Sequence, residues 1–63
     1  MKTKTFILTL NDETAEVIRT IALCIPCFIT LNTMCGIDNA GEYTICAREY
    51  DWAWIERKLA PIV

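Results

Sequence analysis

The chain contains no histidine, and its lysines and arginines form no long run. Without an imidazole, a serine, threonine or cysteine nucleophile lacks its most common general base. The two glycines, Gly36 and Gly41, flank a predicted turn, so there is no glycine-rich loop to hold a phosphate. The acidic side chains cluster where helices are expected to begin, which explains their positions without catalysis. The sequence therefore predicts a protein that is not an enzyme and needs no cofactor.

The charge balance argues against nucleic acid as a partner. Six basic and eight acidic residues give a net charge of −2, so a basic footprint is missing and the acidic excess is too small for a DNA mimic. The N-terminal segment Met1–Leu10 is short and interrupted by threonines, unlike a secretion signal. We therefore expect a cytoplasmic protein with reduced thiols, and we expect membrane binding to be absent.

The length of 63 residues allows one domain, spanning 1–63. A domain of this size buries only about 60% of the surface that its unfolded chain exposes, so a lone copy is expected to be marginally stable. The hydrophobic fraction of 54% is high for so small a body and favours an apolar patch for a partner. A homodimer is the expected state.

The longest uncharged segment, Thr20 to Ile37, is divided by Pro26. A proline disfavours helix at the residue before it and cannot donate a backbone hydrogen bond, so the first helix should end near Cys24. The alternative is a single membrane-spanning helix from Ile18 to Met34, which just reaches the usual length. Pro26 and several polar residues weaken that alternative.

Hydrophobic periodicity predicts an α+β domain. The predicted elements are a strand at 3–10, a helix from 11 to 24, a strand at 27–37, a strand at 42–49 and a helix at 52–60. Gly41 is expected to adopt the left-handed conformation of a hairpin turn spanning 38–41, and Asp51 to cap the last helix. A right-handed crossover places both helices on one face of a three-stranded antiparallel sheet. This arrangement resembles a ferredoxin-like fold that lacks its last strand, a likeness at the level of the fold alone.

The four cysteines suggest two chemistries, and neither is favoured. Cys24-Ile-Pro-Cys27 has the form of a redox dithiol, but such motifs need a helix N-terminus and this one lies at a helix C-terminus. The spacing also differs from zinc knuckles. In the expected hairpin, Cys35 faces Ile45 while Cys46 points to the opposite face, so the thiols do not converge. We predict no metal, with a structural zinc as a minor alternative.

One face of the predicted sheet is left without a helix to cover it. It combines Ile7, Phe28, Met34 and Cys46 with several threonines, and a partner could bind there or at the unpaired sheet edge. Trp54 lies off the apolar stripe of the last helix, and exposed tryptophans are enriched at binding hot spots. The predicted partner-binding residues are Ile7, Met34, Arg48 and Trp54.

These features favour a small interaction module over the other classes of function. The first hypothesis is a dimeric regulator or inhibitor, of the kind common among viral and phage accessory proteins, that binds another macromolecule through its open sheet face or edge. The second is a dimer that binds a small anion or nucleotide, since an arginine suits a negatively charged ligand. Its predicted ligand-binding residues are Thr30, Asn32, Thr44 and Arg48.

Overall fold

The computed structural model describes residues 1–35 and 39–63, apart from the side chain of Cys35. Its elements are β1 (Lys2–Thr9), α1 (Asp12–Cys24), β2 (Cys27–Cys35), β3 (Ala40–Ala47) and α2 (Trp52–Leu59). A short 3-10 turn at Glu49–Asp51 leads into α2. The element order and both helices agree with the sequence-based prediction, which confirms the α+β class.

The three strands form one antiparallel sheet in the order β1-β3-β2. Strand β3 lies at the centre and is antiparallel to both neighbours, so β1 and β2 are parallel to each other and form the two edges. Helix α1 connects the two edge strands. The order is that of the predicted arrangement, whereas the ferredoxin-like description itself stays a prediction.

The core lies between the sheet and the two helices. Its buried apolar side chains come from β1, β3 and both helices and are Leu8, Ile21, Ile45, Ala47, Trp52, Ile55 and Leu59. The accessible surface of the chain is 4180 Å². A folded monomer of this mass is expected to expose about 4,100 Å², so a single copy already has the surface of a folded domain of its size.

Helix α1 begins and ends as predicted, but its buried side is rotated. The Asn11 side chain accepts a hydrogen bond from the Thr14 backbone N–H at 2.9 Å, and the chain turns extended at Ile25 before the proline. Apolar spacing in the sequence predicts a buried stripe of Ala15, Ile18, Ala22 and Ile25, widened by Val17, Ile21 and Cys24. Ile21 is buried as expected, whereas Ala15 and Ala22 are exposed and Thr14 is buried instead. The buried side of α1 is therefore the side of Thr14 and Ile21, with Val17 and Ile18 partly buried between them.

The segment 18–34 is not one helix, since α1 stops at Cys24 and β2 follows. Within the described residues, the helices are too short or too polar to cross a membrane.

The hairpin loop lies earlier in the chain than predicted. Ala40 and Gly41 belong to β3, and the left-handed residue is Asn39, with a φ of 49°. Asn39 joins the end of β1 through two bonds: Leu10 N donates to Asn39 O at 2.7 Å, and Asn39 Nδ2 donates to Leu10 O at 2.8 Å. Asparagine tolerates this conformation better than most residues. The predicted turn residue Asp38, like Gly36, lies outside the described residues.

Gly41 lies in a closely packed position rather than in a turn. A Cβ atom at this position would lie 2.7 Å from Leu31 Cδ1 and 2.8 Å from Leu10 Cδ2. Both leucine side chains therefore pack over the space that a side chain would occupy.

A β-bulge at Asn32 changes the register of β2. Leu31 pairs with Tyr43 but Thr33 pairs with Glu42, so two residues of β2 span one step of β3. Opposite residues share a face of the sheet. Thr33 consequently moves to the face away from the helices and Met34 moves to the helix side, which reverses the predicted alternation.

The predicted pairing of Cys35 with Ile45 is also wrong. Cys35 pairs with Ala40, and Ile45 pairs with Ile29. The prediction placed residues 38–41 in the turn, whereas β3 already begins at Ala40 and pairs there with Cys35.

The entry to α2 differs from prediction as well. Asp51 makes no capping hydrogen bond and instead accepts one from Arg48 Nε at 2.8 Å. An ion pair within one turn of the chain has replaced the expected cap.

Candidate interaction surface

The sheet face away from the helices, called here the open face, is covered by no described element. Besides the buried Ala40, strand register assigns ten described side chains to it: Thr3, Thr5, Ile7, Thr9, Phe28, Thr30, Thr33, Glu42, Thr44 and Cys46. Both helices pack on the opposite side, against the core described above. This face is therefore a regular surface available to a partner.

The open face is built in rows that cross the three strands. The central row consists of Thr5, Thr44 and Thr30, which lie directly opposite one another. One flanking row contains Thr3, Cys46 and Phe28, and the other contains Ile7, Glu42 and Thr33. Threonines suit such a surface because β-branched side chains have few rotamers and pack well on a pleated sheet.

Hydrogen bonds hold the centre of the face in place. The hydroxyls of Thr5 and Thr44 are 3.3 Å apart. Asn32, at the bulge, donates from Nδ2 to Thr44 Oγ1 and to Glu42 Oε1, the latter at 3.3 Å. Side chains that are already ordered lose less entropy when a partner binds.

Two large apolar side chains stand out from this polar surface. Phe28 is 71% exposed and Ile7 is 63% exposed. They lie in different rows on opposite edge strands, so one copy has no continuous apolar patch here. Sequence reasoning placed Phe28 on this face but did not select it as a binding residue; its outward position in an edge strand was the available signal.

The predicted partner-binding residues do not form one surface. Ile7 lies on the open face as expected. Met34 is 67% exposed but, because of the bulge, lies opposite Gly41 on the helix side of the sheet. The prediction that Ile7 and Met34 share a face is wrong.

Arg48 and Trp54 lie elsewhere and are engaged within the chain. The Arg48 guanidinium bonds Asp51 and lies 4.6 Å from the Tyr50 ring, and the hydrogen bond to Asp51 raises the pKa of Arg48. Trp54 is partly buried against the core, with Lys58 Nζ 5.5 Å from its ring. Cation–aromatic contacts of this kind are mildly stabilising, so Trp54 contributes to the fold.

The alternative ligand-binding set is only partly assembled. Thr30, Asn32 and Thr44 are neighbours on the open face, but Arg48 lies beyond the end of β3, about 13 Å along the chain from Thr44. The Glu42 carboxylate bonded to Asn32 disfavours an anion at this position. The described part of the chain also encloses no cavity for a small molecule.

The surroundings of Cys27 do not favour a thiolate. Cys24 is exposed, whereas Cys27 is half-buried and directs its thiol toward Ile21 O at 3.9 Å. Burial, and to a lesser extent the charge of Asp51, raises the pKa of Cys27. Across residues 1–35 and 39–63, histidine, cysteine and acidic side chains form no cluster of three or more that could hold a metal.

The chain was compared with models of protein families, with curated proteins and with solved structures, and none of them matches. Its function must therefore be argued from the surface itself.

Proposed function

We propose that the protein is a non-enzymatic binding module that contacts another protein through its open face, as a dimeric regulator or inhibitor. The observation that supports this proposal is the uncovered face of a regular three-stranded sheet, with Phe28 71% exposed on it. An aromatic side chain surrounded by ordered polar groups is a typical anchor at protein interfaces.

The chemistry of the face favours a polypeptide partner. Its described side chains are threonine hydroxyls, an amide, a thiol and two apolar groups, and the formal charge among them is that of Glu42. The centres of protein–protein interfaces contain few charged residues, whereas protein surfaces that bind nucleic acid are rich in lysine and arginine. The face therefore suits a neutral, mixed polar and apolar protein surface.

The cellular setting is part of the same proposal. Cys24, Cys27 and Cys46 are free thiols. Unpaired thiols are typical of reducing compartments, which supports a cytoplasmic location.

Affinity capture with matched variants tests the proposal. Phe28→Ser should abolish enrichment of the captured protein, while Leu23→Ser should leave it unchanged. Leu23 is a suitable control because it is 80% exposed and lies on α1, away from the sheet. Quantitative mass spectrometry would read the captured proteins, and circular dichroism would check that both variants fold. Equal enrichment by the two variants contradicts the proposal.

A further inference from the structure

The two edges of the sheet are protected to different degrees. Strand β2 follows Pro26 and contains the bulge at Asn32, and bulges and prolines near an edge hinder pairing with another chain. Strand β1 has neither: all eight of its residues pair with β3 in one uninterrupted register. The β1 edge is therefore the one prepared for an additional strand.

The hydrogen-bonding groups on that edge follow from the register. Leu10 N donates to Asn39 O, so Leu10 and Asn39 form a hydrogen-bonded pair between β1 and β3. Such pairs alternate along an antiparallel ladder. The even-numbered residues of β1 thus bond to β3, and the odd-numbered residues direct their N–H and C=O groups outward.

Three of the outward residues have both groups free. The carbonyl of Thr9 is already bonded by Asn11 N at 3.1 Å. For Thr3, Thr5 and Ile7, none of the described hydrogen bonds outside the ladder uses the outward backbone groups. These three residues form a regular row of donors and acceptors that only an extended backbone can match.

We propose that a second copy of this chain pairs antiparallel along β1, with the two-fold axis at Thr5. In this register Thr5 lies opposite its own counterpart, and Thr3 lies opposite Ile7 of the second copy. The three pairs each exchange two hydrogen bonds and satisfy every free group of the row in both copies. If the two-fold axis lay closer to Thr9, the pairing would need the Thr9 carbonyl, which already accepts a hydrogen bond from Asn11 N.

The side chains of β1 are compatible with this register. On the helix side, Lys2 lies opposite Leu8 of the second copy and Lys4 lies opposite Phe6, so no two like charges are directly opposed. Each Lys4 is also held within its own copy by Glu56, at 2.9 Å. The edge is thus complementary to itself in hydrogen bonding, and the register sets no two lysines directly opposite each other.

The pairing would join two open faces into one. The central threonine row continues through Thr5 into the second copy, and the row that contains Phe28, Cys46 and Thr3 continues into Ile7 of the second copy. One open face measures about 14 by 27 Å from strand spacing and rise, roughly 400 Å². The joined face reaches about 800 Å², the size that one partner contributes to a standard protein interface. This consequence rests on the proposed function, but the pairing itself does not.

The test compares two lysine substitutions on the same strand and face. Thr5→Lys places two like charges opposite each other at the axis and should weaken the dimer at least about tenfold. Thr9→Lys adds the same charge beyond the paired row and should change dimerisation by less than about twofold. Analytical ultracentrifugation should give wild-type protein twice the 7.2 kDa mass of the chain.

Charge reversal at the same position provides a rescue. Thr5→Lys and Thr5→Glu proteins should each be monomeric and should form a heterodimer when mixed. In wild type, hydrogen exchange at the Thr5 and Ile7 amides should slow as concentration rises. A monomeric wild type at every concentration, or equal dimerisation of the Thr5→Lys and Thr9→Lys proteins, overturns the proposal.

The outcomes separate this proposal from the proposed function. A dimer in which Phe28→Ser leaves capture unchanged retains the pairing and contradicts the binding face. A monomer with capture that depends on Phe28 gives the opposite result.

Discussion

The two faces of the sheet differ although they share every strand. On the helix side, Ile45 is fully buried and lies among side chains from both helices. Its neighbours in sequence, Thr44 and Cys46, point to the open face and remain partly exposed. Strand alternation thus separates two sets of side chains within eight residues: one set is buried in the core, and the other lies on the face that the helices do not cover.

The largest expected effect is a change at the centre of the helix side. Ile45→Ala should lower the free energy of unfolding by about 2–5 kcal/mol, because it removes buried methyl groups and leaves a cavity. A domain of this length has a total stability of about 3–9 kcal/mol, so the loss would be a large fraction. Urea denaturation measures it. Cys46→Ala, one residue away on the open face, is the control, and an equal loss there would contradict the separation of the faces.

The next effect concerns close packing on the helix side. Gly41→Ala should cost about 1–3 kcal/mol, since the new methyl group overlaps Leu31 and Leu10. Shortening one of these side chains should relieve the overlap. Chemical denaturation of Gly41→Ala, Leu31→Ala and the double variant should show coupling between the two positions. If the losses in free energy of unfolding are additive, the new methyl group at position 41 does not contact Leu31.

A smaller effect distinguishes the faces by cysteine chemistry. Cys27 has a raised pKa because of burial, so less of it is thiolate at a given pH. Its alkylation should therefore rise at higher pH in the folded protein than in protein unfolded by urea. Peptide mapping after timed iodoacetamide treatment reads Cys27 separately. Identical profiles in both states would contradict the burial.

The smallest effect is electrostatic. A hydrogen bond from Lys4 holds the pKa of Glu56 below its usual range. Its contribution to stability is therefore present above the unfolded pKa of the carboxyl and is lost as the pH falls through the lower folded pKa. Both groups are solvent-accessible, so the change should be slight. Glu56→Gln should remove this loss of stability at acidic pH. If the stability of Glu56→Gln falls with pH as that of the wild type does, the pair with Lys4 is not the source of the loss.

Most of the fold could be predicted because its signals are local. Pro26 marks the end of α1, and the strict alternation of β1 and β3 assigns their faces correctly. The bulge interrupts this alternation. Leu31-Asn32-Thr33-Met34 places two polar residues in a row, whereas the prediction assumed an unbroken strand, and the pairing with β3 shows that Asn32 is the inserted residue.

The candidate site was harder to predict, since it depends on competition between partners. Asp51 could cap a helix or bind Arg48, and the two roles exclude each other for one carboxylate oxygen. The ion pair prevails and removes Arg48 from the set of free basic groups. Trp54 likewise lies off the helical stripe in sequence but is partly buried once the core is assembled.

The central position of β3 has a consequence for how the chain folds. Strands β1 and β2 both precede it in sequence, and they share no hydrogen bond with each other. A nascent chain that has reached only the end of β2 thus has two strands and no sheet. Both ladders need residues 40–47, so neither can form before this segment is available. A fragment that stops before Ala40 should remain unfolded.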